Sequence, residues 1–370
     1  MVLSGLSFIN FRTHKNTTLN FSETLNYIVG GNGQGKTSVL EAIYFLCTTK
    51  SFNSKDTEAV SFGENEFEIK GVFKDLTEDN IKLLYSIPEN RKYYFQNDKL
   101  VSRSSQIIGK FPVVILTPSD HPITQGAPSE RRKFIDSVIS QASNTYLSIL
   151  LDYNKTLKHR SVILNQLRER RTNQLESELD AWTEKLLDSG TELIIYRNNF
   201  LNGYKKYVLD SYKNIVEENE IPAIEYSYLE NSEAKENVKK IFEELLVIRR
   251  EEEIRRAVNL VGPHKDDFIF YVNDINLRTF GSQGQHKTFQ TALRFAEFFY
   301  LKDATGKTPI FLLDDVFGEL DAYRAGKISS YLKNVGQAFI TLTDFADFSF
   351  LSRNENDFVI RLEGGNLAYV

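Results

Sequence analysis

The stretch Gly30-Gly31-Asn32-Gly33-Gln34-Gly35-Lys36-Thr37 matches the phosphate-cradling pattern G-x-x-x-x-G-K-[ST] at every fixed position. Glycines let a backbone wrap closely and aim its N–H groups at a β-phosphate. Residues Gly30, Gly31, Asn32, Gly33, Gln34 and Gly35 are therefore expected to line the phosphates. Lys36 is expected to reach the β and γ groups, and the Thr37 hydroxyl to take a Mg²⁺ position. The flanks supply the context that the motif needs. Leu25–Val29 reads as a short buried strand, and Val39, Leu40, Ala42, Ile43, Phe45 and Leu46 make an almost wholly apolar helix. The positive end of that helix points at the loop. Strand, glycine loop and helix in that order predict a nucleotide site for ATP and Mg²⁺.

A second element of this site lies far downstream. Pro309-Ile310-Phe311-Leu312-Leu313-Asp314-Asp315 is an apolar run ending in two carboxylates. It reads as a buried parallel strand that delivers acids at its C-terminal end, where open α/β sheets bind ligands. Asp314 is expected to hold Mg²⁺, directly or through water, and Asp315 to position or deprotonate the attacking water. Lys36 and Asp314 are 278 residues apart, so something large is inserted between two strands of one sheet.

The remainder of the chain bounds the function classes. At 370 residues, with 41% hydrophobic and 26% charged residues, it is expected to be an ordinary soluble protein of two to three domains. It contains no apolar run long enough to span a membrane, and its first residues do not resemble a signal peptide. One cysteine, Cys47, excludes an internal disulfide framework, and five scattered histidines give no zinc pattern. Cys47 is expected to be a buried structural thiol. The sequon Asn16-Thr17-Thr18 is read as chance in a cytoplasmic protein.

The net charge of −5 argues against nucleic acid, yet its distribution does not. Segment 121–171 holds nine Lys/Arg against four Asp/Glu, a local +5 in an otherwise acidic chain. Arg131, Arg132, Lys158, Arg160, Arg170 and Arg171 are the candidate DNA contacts in it. A solvated helix face is the other account of such a run. For Arg131 and Arg132, a structural bracing role through carboxylates stays open beside it.

Gly281-Ser282-Gln283-Gly284-Gln285 opens a helix 32 residues before Asp314 when counted from Ser282. Ser-x-Gly-Gln at that place resembles the signature motif of ABC-type ATPases. The resemblance implies that Ser282, Gly284 and Gln285 bind the γ-phosphate held by another subunit, with Lys36, Asp315 and Ser282 as the catalytic set. A hydroxyl, a glycine backbone and a helix dipole together favour an anion. Val316-Phe317-Gly318-Glu319-Leu320-Asp321 resembles the D-loop that crosses such a dimer interface.

Between the halves the pattern turns helical. Tyr146, Leu150, Tyr153, Leu157, Leu164 and Leu167 form one seam, and Leu175, Leu179, Trp182, Leu186, Leu193, Tyr196 and Phe200 a second. Arg170-Arg171-Thr172-Asn173 is the turn between them, which predicts an antiparallel helical hairpin. An amphipathic stretch over Val238–Arg256 follows a strand at 223–229. The expected fold is α/β: a P-loop ABC-type ATPase head, a mixed sheet with flanking helices, carrying an inserted mainly helical arm. Its expected division is head 1–120, arm 121–256 and returning head 257–370.

The chain closely resembles the RecF family of bacterial recombination-mediator ATPases, relatives of the SMC proteins. Gly126-Ala127-Pro128-Ser129-Glu130-Arg131-Arg132-Lys133-Phe134-Ile135-Asp136 is similar to that family's Gly-x-Pro-x-x-Arg-Arg-x-Phe-x-Asp block. Leu116-Thr117-Pro118-Ser119-Asp120 resembles its Pro-Glu-Asp block, and Gly262-Pro263-His264-Lys265-Asp266-Asp267 its Gly-Pro-His-[Arg/Lys] block. Phe8-Ile9-Asn10-Phe11-Arg12 resembles the opening strand, so Arg12 is implied to approach the nucleotide. The resemblance implies an ATP-driven homodimer on gapped, double- or single-stranded DNA. It further implies cooperation with RecR and RecO, and through them RecA, with slow DNA-stimulated ATP hydrolysis and no membrane partner.

Some positions depart from the family pattern. Ser119 replaces an acid, Thr13 an asparagine, and Asn53 an arginine. No histidine follows the strand ending near Thr343 and Asp344, either of which is then a candidate to touch the γ-phosphate. Asp315 replaces the glutamate usual in ABC transporters and is one methylene shorter. Two rival classes are an ABC importer subunit and a structural SMC-like clamp. The importer predicts a shorter helical insertion, and the clamp needs arms far longer than 121–256.

Overall fold

The computed structural model describes residues 1–216, 220–229, 237–319, 322–343, 354–363 and 366–369. It divides into two compact units. The first comprises Met1–Asp120, Asp210–Asn219 and Thr288–Val370; the second comprises His121–Leu209 and Glu220–Lys287. Where the expected division puts 257–287 in the returning head and 210–216 in the arm, residues 257–287 group with the second unit and the described residues 210–216 with the first. Sequence pattern alone does not reveal this, because Asn173–Ile215 and Gln283–Thr305 are each one unbroken helix contributing to both units.

The first unit holds two six-stranded sheets. In one, the P-loop strand Leu25–Val29 lies between Phe358–Glu363 and Ala338–Leu342, followed by Ile310–Leu313 and Val113–Leu116. These five are parallel, and Asn366–Tyr369 closes the edge antiparallel, so the sheet is mixed. Leu25–Val29, Val113–Leu116, Ile310–Leu313 and Ala338–Leu342 are buried at every position, as parallel strands covered on both faces must be. The other sheet is an antiparallel meander built on Val2–Phe11, His14–Asn20, Glu66–Lys74 and Glu78–Ser86. Glu-Phe-Glu-Ile-Lys-Gly-Val-Phe-Lys in Glu66–Lys74 alternates polar and apolar residues, which gives one core face and one wet face. Helix Lys36–Thr48 contributes Val39, Leu40, Ala42, Ile43, Phe45, Leu46 and Cys47 to a core shared with both sheets. Burial pushes the Cys47 thiol far above its ordinary value, so it is inert packing.

The second unit is mainly helical. Helices Asn144–Glu169 and Asn173–Ile215 meet across the link at residues 170–172. Arg160 bonds to Thr183, His159 stacks on Trp182, and Tyr146 packs on Tyr196. Numbers rising on one helix as they fall on the other make the hairpin antiparallel. Helix Val238–Arg256 joins it through Ile254, which packs with Ile163, Leu164, Leu167 and Leu179. Pro222–Ser227 pairs antiparallel with Asp267–Val272 in a three-stranded sheet of this unit.

Candidate nucleotide site and the basic segment

The sheet order brings the two distant motifs together. The P-loop strand and the Asp314 strand are separated by Ala338–Leu342, and that intervening strand supplies a link between them. Thr37 Oγ1 donates to Asp314 Oδ1 at 2.9 Å, and Thr341 Oγ1 donates to the same oxygen at 2.9 Å. The Asp315 N–H in turn donates to Thr341 Oγ1 at 2.8 Å. Thr341 stands out in the sequence only as the polar residue within an otherwise apolar strand. Burial pushes the Asp314 carboxyl up, opposed by these two hydroxyls.

Lys36 is buried, and its Nζ donates to the carbonyl oxygens of Gly30 at 2.7 Å and Gly31 at 3.0 Å. Burial lowers its pKa, while Asp315 and Asp314 oppose the shift. Gly31, Asn32 and Gly33 are exposed. Gly35 sits at φ 86°, and a Cβ there would come within 2.2 Å of His14 Nε2, so only glycine fits. His14 Nε2 lies 3.2 Å from the Gly35 carbonyl and Nδ1 3.0 Å from Thr17 Oγ1. Burial lowers the His14 pKa. Its role as the backing of the loop has no signal in the sequence.

The donors fit Mg²⁺. Thr37 Oγ1 and Asp314 Oδ1 are hard oxygens already adjacent, and this ion takes one or two carboxylates together with substrate phosphates. Among the described residues there is no cluster of three or more His, Cys, Asp or Glu suited to an all-protein metal cage. Asp315 is exposed beside this site at φ 50°. Thr343 is exposed; Asp344, and Leu320 and Asp321 of the D-loop, lie outside the described residues.

Arg12 is occupied by protein. Its Nε and Nη2 donate to the two oxygens of Glu41 at 2.8 and 2.7 Å, and its Nη1 to the Glu58 carbonyl at 2.8 Å. Glu41 is the buried carboxylate on the largely apolar P-loop helix, and Arg12 explains it. Arg12, Thr37, Ser38 and Asn53 line one cavity of about 480 Å³, so Arg12 is near the loop's helix while already paired.

Ser282 begins the helix Gln283–Thr305 in a reciprocal cap. The Gln285 N–H donates to Ser282 Oγ at 3.2 Å, and the Ser282 N–H to Gln285 Oε1 at 3.0 Å. Ser282 is exposed and Gly284 half-buried. Gln285 Nε2 is tied to Glu220 at 2.7 Å, which fixes the start of the helix.

The candidate DNA contacts separate by burial. Arg131 is 3% exposed and donates to both oxygens of Asp267 at 2.7 and 2.9 Å. Arg160 is 2% exposed and pairs with the equally buried Glu253 at 2.8 Å. Neither presents a charge to a phosphate: Arg131 holds a carboxylate, which favours the bracing role left open for it, and Arg160, expected at DNA, is buried against Glu253 instead. Arg132 donates to the Asp266 carbonyl at 2.5 Å and is half-buried. Arg171 is exposed, yet Glu176 and Glu251 hold it. Lys158 and Arg170 are exposed.

The Gly-Pro-His block belongs to the same buried joint. Arg197 bonds to Asp136 at 2.9 and 3.0 Å and to the Pro263 carbonyl at 2.7 Å, and Tyr226 donates to Asp266 at 2.5 Å. Tyr153 Oη meets His264 Nδ1 at 2.7 Å. Gly262 lies at φ 127°, and a Cβ there would stand 2.5 Å from the Tyr153 hydroxyl.

Against known proteins, residues 2–349 match the model of the RecF/RecN/SMC N terminal domain. The chain is 38% identical over 357 residues to the DNA replication and repair protein RecF of Chloroherpeton thalassium, covering 94% of this chain and 96% of that one. The chain belongs to the RecF family. RecF of Salinibacter ruber is 35% identical, with 93% and 85% covered. A structure described as the recombination mediator protein RecF-ATP in the RecFOR pathway superposes with a TM-score of 0.90 at 32% identity, covering 100% of this chain and 97% of that one. The Smc head domain of Pyrococcus furiosus, at a TM-score of 0.57 and 15% identity, shares the fold. The RecF fold thus accounts for both six-stranded sheets and for the P-loop that follows Leu25–Val29. No helix among the described residues is long and apolar enough to cross a membrane.

Proposed function

We propose that this chain is an ATP-dependent DNA-binding protein of recombinational repair and replication restart. An ATP-bound homodimer engages gapped or junction DNA, helps RecO and RecR load RecA, and is reset by slow hydrolysis. The observation that carries the nucleotide half is the meeting of Thr37 and Asp314, 277 residues apart, on one oxygen. Its relatives' names and the RecF-ATP structure support the repair half.

Lys36 leaves the carbonyls of Gly30 and Gly31 for phosphate oxygens, a ready exchange because it already points into the loop. Mg²⁺, when bound, offsets phosphate charge between Thr37 and Asp314. Asp315 orients the attacking water and accepts its proton. The exposed Ser282 hydroxyl and Gly284 backbone are available to a γ-phosphate presented by a second copy, so each subunit completes its partner's site. Such a two-fold pair buries both nucleotides.

Sedimentation with ATP tests this. Lys36→Ala should stay monomeric and lose ATP-dependent retention of DNA. Ser282→Arg should bind ATP as a monomer, since its own P-loop is intact. Mixed with Lys36→Ala it should recover one composite site per pair, joining the P-loop of the Ser282→Arg chain to the signature of the other. Stable ATP dimers of Ser282→Arg alone would overturn the composite site.

A further inference from the structure

The start of helix Gln283–Thr305 rests on a buried histidine that the nucleotide chemistry leaves unused. His286 is 4% exposed and lies one turn in from Ser282, its N–H donating to the Ser282 carbonyl at 3.0 Å. Its Nδ1 meets Thr124 Oγ1, on the short helix His121–Gln125, at 3.0 Å. Its Nε2 faces the backbone at Gly281, where an added Cβ would stand 3.1 Å away. The ring is therefore wedged under the Gly281–Ser282 link. Among the described residues Nε2 makes no hydrogen bond, and the Thr124 hydroxyl can donate or accept, so the contact survives either protonation state of the ring.

In a lone subunit this imidazole is held neutral. Burial lowers its pKa below the ordinary 6.5, and His121 adds to the shift. The positive end of the helix also opposes a cation in its first turn. The other charged groups here are Arg278 on Leu277–Phe280, exposed, the half-buried Lys287 next in the chain, and Glu220, which Gln285 Nε2 engages at 2.7 Å. Apart from Glu220, these groups are cationic or can become so. A γ-phosphate brought to Ser282 by a second copy reverses the balance, because an opposite charge within about 6 Å favours the charged form by one pKa unit or more.

We propose that His286 is a positioning residue of the signature that couples pairing to a proton. Neutral in the lone subunit, where it joins Thr124 to the Gly281–Ser282 link, it takes one proton from solvent when a second copy's γ-phosphate docks on Ser282. The inference rests on the proposed role of Ser282 in the partner's site. A group whose pKa is raised in the dimer binds a proton on assembly. Pairing therefore tightens as pH falls through the dimer value and levels off below the value in the lone subunit. A rise of about one unit is a factor of ten per site, and a two-fold pair has two sites.

Sedimentation of ATP-saturated wild type and His286→Asn is compared between pH 8 and pH 6. Asparagine keeps an amide where Nδ1 meets Thr124 but does not titrate. On lowering the pH, wild-type pairing should strengthen about a hundredfold relative to the variant. Parallel curves in a folded variant overturn the inference, since the nucleotide titrates alike in both. A folded variant that cannot pair at pH 8 also overturns it, leaving a histidine with a purely structural part. His121→Gln should retain the pH dependence; its loss there assigns the proton to His121 and overturns the inference too. If His286→Asn does not fold, wild type still decides. Diluting its ATP-saturated dimer in two buffers of unlike ionisation heat should show proton release at pH 6.5, and no release sinks the proposal. Ser282→Arg separates the two readings. If it forms ATP dimers, the composite site fails and takes this inference with it. If it stays monomeric while wild type and His286→Asn give parallel curves, only this inference fails.

Discussion

Thr341 and Asp314 lie on neighbouring strands, and the Thr341 hydroxyl both donates to the Asp314 carboxylate and accepts from the Asp315 amide. One buried hydroxyl therefore sets the position of both acids. Thr341→Val keeps the shape and removes both bonds. It should destabilise the protein by about 1–3 kcal/mol and push the Asp314 carboxyl further up. Denaturation and the Mg²⁺ dependence of ATP binding check this. An unchanged Mg²⁺ midpoint would remove Thr341 from the site.

Asp315 adopts φ 50°, a backbone that asparagine tolerates well. Asp315→Asn should fold normally, bind ATP and slow hydrolysis by about 10²-fold or more, lengthening the life of the dimer on DNA. Asp314→Asn should fail earlier, by weakening Mg²⁺-dependent ATP binding. Single-turnover hydrolysis distinguishes them; a wild-type rate in Asp315→Asn would assign the water to another residue.

Arg160 and Glu253 form a buried pair. Arg160→Met should cost about 3–5 kcal/mol by stranding the carboxylate, and Arg160→Met/Glu253→Met should recover much of it. DNA affinity, measured where the single variant is still folded, should not change. A loss of affinity in the folded double variant would return Arg160 to the DNA surface.

His264 is held neutral by burial, with its pKa lowered to about 4. The unfolded chain binds the proton first, so this contribution to stability is full above the ordinary value of 6.5 and is lost as pH falls toward 4. At pH 5 the loss is about 2 kcal/mol. Asp266 works in the opposite sense, because burial raises it to about 6, so its charged form is penalised above that pH and the penalty fades on acidification. Comparing wild type with His264→Gln between pH 7 and 5 isolates the histidine. The variant should lose about 2 kcal/mol less; parallel pH curves would mean that His264 does not titrate there.

Much of the candidate site's geometry was legible because its pattern is local. The P-loop strand, the loop and the apolar helix are contiguous, and the Asp314 strand is an uninterrupted apolar run ending in acids. Thr341 was not legible, since its role depends on which strand lies between the two motifs. Charge misled at Arg160 and left two readings open at Arg131: a sequence displays a cation but not the Glu253 or Asp267 that folding brings to it. The meander sheet left a period-two trace in Glu66–Lys74, yet its pairing is a tertiary matter. The unit boundary near Lys287 was hidden inside one continuous helix.

Strand Leu25–Val29 is made about 300 residues before the backbone partners on its two sides, Ala338–Leu342 and Phe358–Arg361. At ribosomal speeds the interval is on the order of tens of seconds. Throughout it this strand, buried at every position once folded, waits with both edges unpaired, a template for any other chain. Nascent copies of this protein are thus exposed to mispairing before the first ATP can bind, and a ribosome stalled ahead of residue 338 leaves a fragment that has its phosphate loop but no sheet to hold it.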